Sequence, residues 1–201
     1  MSDAWINRLV VSGPAADVRA FAKAAVGFEP PDFDSPSDKP VKVGLSLGTL
    51  YELLPSRAKR RVPPVEDEPA DLVCERLVVG KTGNAEKIYR FQLAAYEPDL
   101  LLTAVSRLFP RLVFVLGWVA PAVDEAASKL IRNGTVRRYR MPGKRLHEIY
   151  AARYEEWGED CLDADIEGDW MALDEVVEHW RDCLPPMKAP KRRRNRRVRS
   201  P

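Results

Sequence analysis

The chain has little that can ligate a metal or attack a substrate: three cysteines (Cys74, Cys161, Cys183) and two histidines (His147, His179) in 201 residues. An odd, widely scattered cysteine set builds no disulfide framework and fits a reducing compartment. No CxxC or HExxH pairing is present. His179 and Cys183 stand four apart, a spacing that puts two ligands on one helix face, but Cys161 is the one obvious third ligand, and the pair reads as ordinary helix residues. His147-Glu148 has no nucleophile near it in sequence, and neither a Ser-His-Asp spacing nor a GxSxG elbow occurs. The expectation is a non-enzymatic protein with no cofactor and no metal. No apolar run approaches ~18 residues, and the first thirty residues lack a charged-then-apolar leader. A cytoplasmic protein that does not engage a membrane is therefore expected.

Charge of one sign is missing from two stretches. Residues 188–201 carry eight basic groups (Lys188, Lys191, Arg192, Arg193, Arg194, Arg196, Arg197, Arg199) and no acid. The other 187 residues then hold 24 basic against 30 acidic groups, a net of −6, beneath an overall +2. Between Glu155 and Asp182 twelve acids face a single base, Arg181. The chain is an acidic body with a basic end.

What is abundant is periodicity. Trp5 to Ser12 alternates as a strand, with Trp5, Asn7, Leu9 and Val11 on one side. Gly13-Pro14 leads into a helix through about Val26, with Val18, Phe21, Ala22 and Ala25 as its apolar stripe and Gly27 as its cap. Residues 29–42, with four prolines, read as an irregular loop. Val43 to Leu54 has no clean period, and its first half is read as a strand. Pro55 to Ala70 reads as a proline-rich linker. Leu72 to Val79 and a strand from Lys87 flank the turn Gly80 to Ala85 and predict a hairpin. Glu97-Pro98-Asp99 opens a helix striped by Leu101, Leu102, Val105 and Leu108, which Phe109-Pro110 stops. Leu112 to Val119 is apolar throughout, the pattern of a strand buried on both faces.

Two strand–helix–strand units around a hairpin predict an α+β fold of ferredoxin-like type, an antiparallel sheet with two helices on one face. A single elaborated domain is expected over 1–184, with its core at about 4–120, a helical extension over 121–184, and a disordered basic tail over 185–201. In the extension, Pro121 to Asn133 reads as a helix capped by Gly134, and Thr135 to Met141 as a charged edge strand. Leu146 to Trp157 reads as an amphipathic helix, Gly158 to Gly168 as an acidic loop, and Asp169 as the cap of a last helix to Leu184. These helices are expected on the open sheet face or its rim, which leaves no platform for stacking RNA bases.

The residues also carry a family likeness. Asn7, Leu9, Val11 and Gly13 match an Asn-x-Leu-x-Val-x-Gly opening, with Trp5 one residue closer to the Asn than in the pattern. Gly80 to Ala85 resembles a Trp-Gly-Thr-Lys-Trp-Asn-Ala turn, with Val79 and Gly83 in place of the tryptophans. Phe91, Ala94 and Pro98 follow a Phe-x-Thr-Ala-Trp-x-Pro-Pro block, and Leu108 to Phe114 is similar to a Phe-Pro-x-Leu segment. On these residues, over about 4–119, the chain resembles the YubB-type ferredoxin-like family of phage- and plasmid-associated proteins. The resemblance implies the fold and a mobile-element setting, and no defined activity.

Gly80-Lys81-Thr82 invites a phosphate-loop reading, but a Walker loop needs glycine where Glu75 stands, and a strand follows. Asp163, Asp165 and Glu167 alternate as in a calcium loop, yet the twelfth position is Asp174 and not Glu. The leading expectation is contact with DNA or RNA phosphates through the basic tail, without sequence selection. Arg57, Lys59, Arg60 and Arg61 form a second basic patch, and Arg137, Arg138, Arg140, Lys144 and Arg145 a third. The alternative is a protein partner met by the acidic surface of Glu155, Glu156, Glu159, Asp160, Asp163 and Asp165, or the tail docking on the acidic body. A small-ligand enzyme with a pocket between sheet and added helices is the third class.

Overall fold

The computed structural model describes residues 5–29, 41–65, 69–80, 83–94, 98–120, 124–158 and 161–181. The elements are β1 (Trp5–Pro14), α1 (Ala15–Ala24), β2 (Gly27–Glu29), β3 (Val41–Val43), α2 (Leu47–Glu52), α3 (Ser56–Lys59), β4 (Ala70–Cys74), β5 (Val78–Val79), β6 (Asn84–Leu93), α4 (Asp99–Leu108), β7 (Val113–Ala120), β8 (Glu125–Arg132), β9 (Thr135–Arg140), α5 (Gly143–Trp157) and α6 (Cys161–Glu178). The fold is α+β. One sheet runs β4-β6-β1-β7-β8-β9, with β5 also on β6, and every described pairing is antiparallel.

The alternation of β1 sorts the core into two layers. Leu9 and Val11 point to one face, where Val18 and Phe21 of α1 and Leu101, Leu102 and Val105 of α4 cover them. Phe21 sits edge-on to Tyr89, Phe109 and Phe114 at centroid separations of 6.3, 5.5 and 5.2 Å, the geometry that aromatic quadrupoles favour. Val10 points to the other face, where Val115 and Val119 meet Leu173, Val176 and Val177 of α6. Central β7 is consequently buried at all eight positions, as its unbroken apolar run requires.

The extension differs from its sequence pattern. Residues 125–132 form a strand and not a helix, paired with β7 from Phe114↔Ile131 to Ala120↔Glu125. Asn133 and Gly134, at φ of 45° and 77°, make the tight left-handed turn that joins β8 to β9. Two C-terminal helices are described where three were expected. The acidic stretch predicted as a loop up to Gly168 is helical from Cys161, so Asp163, Asp165 and Glu167 form no calcium loop. Asp169 lies inside α6, buried, and does not cap it. Gly168 is tolerated in mid-helix because a Cβ there would collide with the Tyr150 ring; α5 and α6 meet through the missing side chain.

Smaller corrections fall around the first face. Helix α1 closes at Ala25 and Gly27 opens β2, so Gly27 is not its cap. Of the first half of 43–54, read as a strand, Val43 ends β3, and Leu47 already begins a helix: the Ser46 hydroxyl accepts the Thr49 N–H at 3.0 Å and starts α2. The expected linker holds α3, and buried Val62 pins it into the core. The first hairpin strand splits into β4, which carries a register shift against β6, and the short β5. Leu108, the last residue of α4, is exposed. Of the expected irregular loop, residues 30–40 lie outside the described residues, and β2 pairs with β3 across them.

Candidate nucleic-acid interface

The basic run Lys188, Lys191, Arg192, Arg193, Arg194, Arg196, Arg197 and Arg199 lies outside the described residues, as do Glu159, Asp160 and Cys183. Glu155, Glu156 and Asp163 are exposed where α5 ends and α6 begins. Glu156 pairs with Arg153, and half-buried Asp165 accepts from the Tyr154 hydroxyl. Tyr154, Trp157 and Ile166 are exposed on the same two helix segments. His147 is exposed, and His179 stacks flat on Tyr139 of β9 at 3.6 Å.

The basic patch around β9 is largely answered by acids. Arg138 and Arg140 pair with Glu125 at 2.8 and 3.3 Å. Arg145 makes a forked contact with Glu175, closest at 2.8 Å, and a second with Glu148 at 3.5 Å; Lys144 lies 3.9 Å from Glu148. These surface pairs are individually weak, about 0–1 kcal/mol; three acids answer four of the five bases, and exposed Arg137 has no acidic partner among the described residues.

The α3 patch is different. Lys59 pairs with Glu52 at 2.5 Å and lies over the Tyr51 ring. Arg57, Arg60 and Arg61 are exposed and have no acidic partner among the described residues. Val62 anchors this segment in the core, and α2 packs on α4, so α3 is held beside α4. Between them lies an open cleft of about 370 Å3. Arg57 and Arg61 line one wall, Arg107 and Thr103 of α4 the other, and Val62 and Leu100 add apolar surface. Arg107 stands in the last turn of α4, where the helix dipole favours a cation. Its guanidinium passes over the β8–β9 turn, so close that a Cβ on Gly134 would collide with Arg107 Nε. Three arginines thus border one cleft with no acidic partner among the described residues. Arg107 had no sequence signal, because it sits in a helix whose pattern reports only an apolar stripe.

The rim between the sheet and α6 is charged but balanced. Arg8 and Arg90 stand opposite each other on β1 and β6, where like charges repel. Arg8 donates to Asp174 at 2.7 Å and Arg90 to Glu75 at 2.9 Å. Burial pushes the Glu86 carboxyl above its ordinary range, and neighbouring Arg8 opposes the shift. The cavity here, bordered by Arg8, Glu86, Glu178 and Arg181, measures about 70 Å3. Drug-sized ligands occupy ~300–1,000 Å3. The Arg8–Asp174 pair fastens α6 to β1. The Gly80 to Ala85 turn is closed by the Gly80 N–H on the Asn84 carbonyl at 2.8 Å and runs straight into β6.

Compared with known proteins, the chain matches no family model, no curated protein and no solved structure. The geometry itself defines an α+β protein whose described surface carries a cluster of unanswered arginines.

Proposed function

We propose that this chain is a non-enzymatic accessory protein, of the kind carried by phages or mobile genetic elements, that binds nucleic acid through its phosphate backbone. The observation that carries the reading is the arginine cluster of Arg57, Arg60, Arg61 and Arg107, which no described acid neutralises, whereas acids meet four of the five bases of the β9 patch. Arginine forks match phosphate oxygens, and binding releases condensed counterions. The basic run 188–201 adds eight charges of the same sign. A ferredoxin-like core of the YubB type fits this role. It is supported by the order β4-β6-β1-β7, which is second, third, first and fourth strand of a β-α-β-β-α-β path, and by α1 and α4 sharing one face. On this reading β8–β9 and α5–α6 are additions that extend the sheet and cover its second face.

The test is binding of labelled single- and double-stranded DNA and RNA by the full chain and by residues 1–187, at low and physiological salt. Steeply salt-dependent binding, weakened but not abolished by the truncation, supports the reading. Absence of binding by the full chain at low salt sinks it.

A second reading has an observation of its own: exposed Tyr154, Trp157 and Ile166 lie among Glu155, Asp163 and Glu167, a mixed apolar and acidic surface suited to a basic protein partner. Capture of a partner that is lost on Glu155→Lys and Asp163→Lys but survives removal of 188–201 favours it.

A further inference from the structure

We propose that the α3–α4 cleft is a phosphomonoester site, taking the terminal phosphate of a nucleic-acid strand or the phosphate of a free mononucleotide. The inference rests on the nucleic-acid reading and specifies its chemistry. A backbone diester carries one negative charge, and an exposed lysine or two suffices to meet it. Here Arg57, Arg61 and Arg107 share one cleft of about 370 Å3 with no acid among the described residues of its lining. Held together they repel, and a dianion relieves that repulsion better than a monoanion does. Each guanidinium offers a planar fork of donors that fits phosphate oxygens two at a time, and the Thr103 hydroxyl adds a donor on the same wall as Arg107.

The remaining lining has the right complement. Leu100, Val62 and Ala58 give an apolar wall against which a sugar or base edge can lie, and the volume falls within the ~300–1,000 Å3 of small-ligand pockets. The cleft is built and not a chance gathering of surface charge. Val62 is buried in the core beneath it, and the Arg107 guanidinium on its other wall packs against the bare Gly134 of the β8–β9 turn. Its described lining holds no aromatic ring, so the phosphate, and not the base, is what the site reads.

The experiment uses the full chain and four probes at physiological salt: a 5′-phosphorylated oligonucleotide, the same oligonucleotide with a 5′-hydroxyl, a mononucleoside monophosphate, and inorganic phosphate. The 5′-phosphorylated strand is expected to bind roughly 10-fold or more tighter than its hydroxyl twin, since hydrogen bonds to a charged group are worth that much. Arg57→Gln and Arg107→Gln each remove that preference, while Arg19→Gln, on exposed α1 surface, leaves it intact. The preference should also fade below pH ~6, where the monoester takes up its second proton and arginine does not titrate. A mononucleotide that binds and competes with the phosphorylated strand locates the recognition in the monoester itself; a strand that binds without such competition places it at a strand end. Equal binding of the phosphorylated and hydroxyl strands overturns the inference and leaves the nucleic-acid reading standing. Failure of all four probes overturns the inference, and failure of both strands at low salt as well overturns the nucleic-acid reading.

Discussion

Replacing Asp169 by Asn tests how α5 and α6 hold together. Asp169 is buried between the two helices and accepts the Tyr150 hydroxyl at 2.6 Å. Burial raises its carboxyl from an ordinary 3.8 to about 6; the Tyr150 hydrogen bond opposes the rise and the Asp165 charge adds to it. A group whose pKa is raised on folding contributes stability that is full below its unfolded value and lost as pH climbs through the folded one. The window therefore opens at the ordinary 3.8 and closes at about 6, and at neutral pH the folded protein carries the cost of an ionised, buried carboxylate. A rise of that size corresponds to ~3 kcal/mol, and partial access of water to the group reduces this to about 1–2 kcal/mol. Asparagine keeps an oxygen for the Tyr150 hydroxyl and carries no charge. Urea unfolding followed by tryptophan fluorescence at about pH 3 and about pH 7.5, either side of that window, reads the difference. Asp169→Asn should be the more stable protein at the higher pH, by about 1–2 kcal/mol, with the advantage gone at the lower. A variant less stable at the higher pH, or a difference that ignores pH, refutes the reasoning.

Gly168→Val sets helix propensity against packing: propensity alone favours it, but its Cβ would strike the Tyr150 ring, so a loss of about 2–3 kcal/mol in urea unfolding is expected and a gain would contradict the close helix contact. Gly134→Ala forces a side chain into φ of +77° and into the path of Arg107; thermal unfolding should show a loss of about 1–2 kcal/mol, and an unchanged midpoint would contradict the turn. Ser128 accepts from the Trp180 indole at 2.7 Å and donates to the Val176 carbonyl at 2.6 Å, so Ser128→Ala strands a buried N–H and should cost about 1–3 kcal/mol, with the Trp180 emission altered. Unaltered emission and stability would place Trp180 elsewhere.

The two layers of the core were legible because β1, β6, α4 and β7 each show one clean period. Residues 125–132 were not, since Glu-Ala-Ala-Ser-Lys-Leu-Ile-Arg is composed mostly of good helix formers and becomes a strand only through its pairing with β7. The Asn133-Gly134 pair was the signal that argued for a hairpin there. The start of α6 was hidden by Gly158, Gly168 and a run of acids, which resemble a loop until Tyr150 is seen to need the space at Gly168. In the candidate site, the α3 arginines showed as charge, but their freedom from acids did not. Arg145 finds Glu175 thirty residues away, so only the fold separates the patch that acids partly answer from the unanswered one. Arg107 joins the cluster by packing alone.

The central claim is that the unanswered arginines meet phosphate. Its most direct test is the salt dependence of single-stranded DNA binding by the full chain and by Arg57→Gln/Arg61→Gln/Arg107→Gln. With each of the three on a separate backbone phosphate, the slope of log affinity against log salt should become shallower by about 2, at ~0.7 per phosphate on a single strand; with all three on one terminal phosphate, by about 0.7 to 1.4. Equal affinity and an unchanged slope would show that the cleft takes no part and would contradict the account.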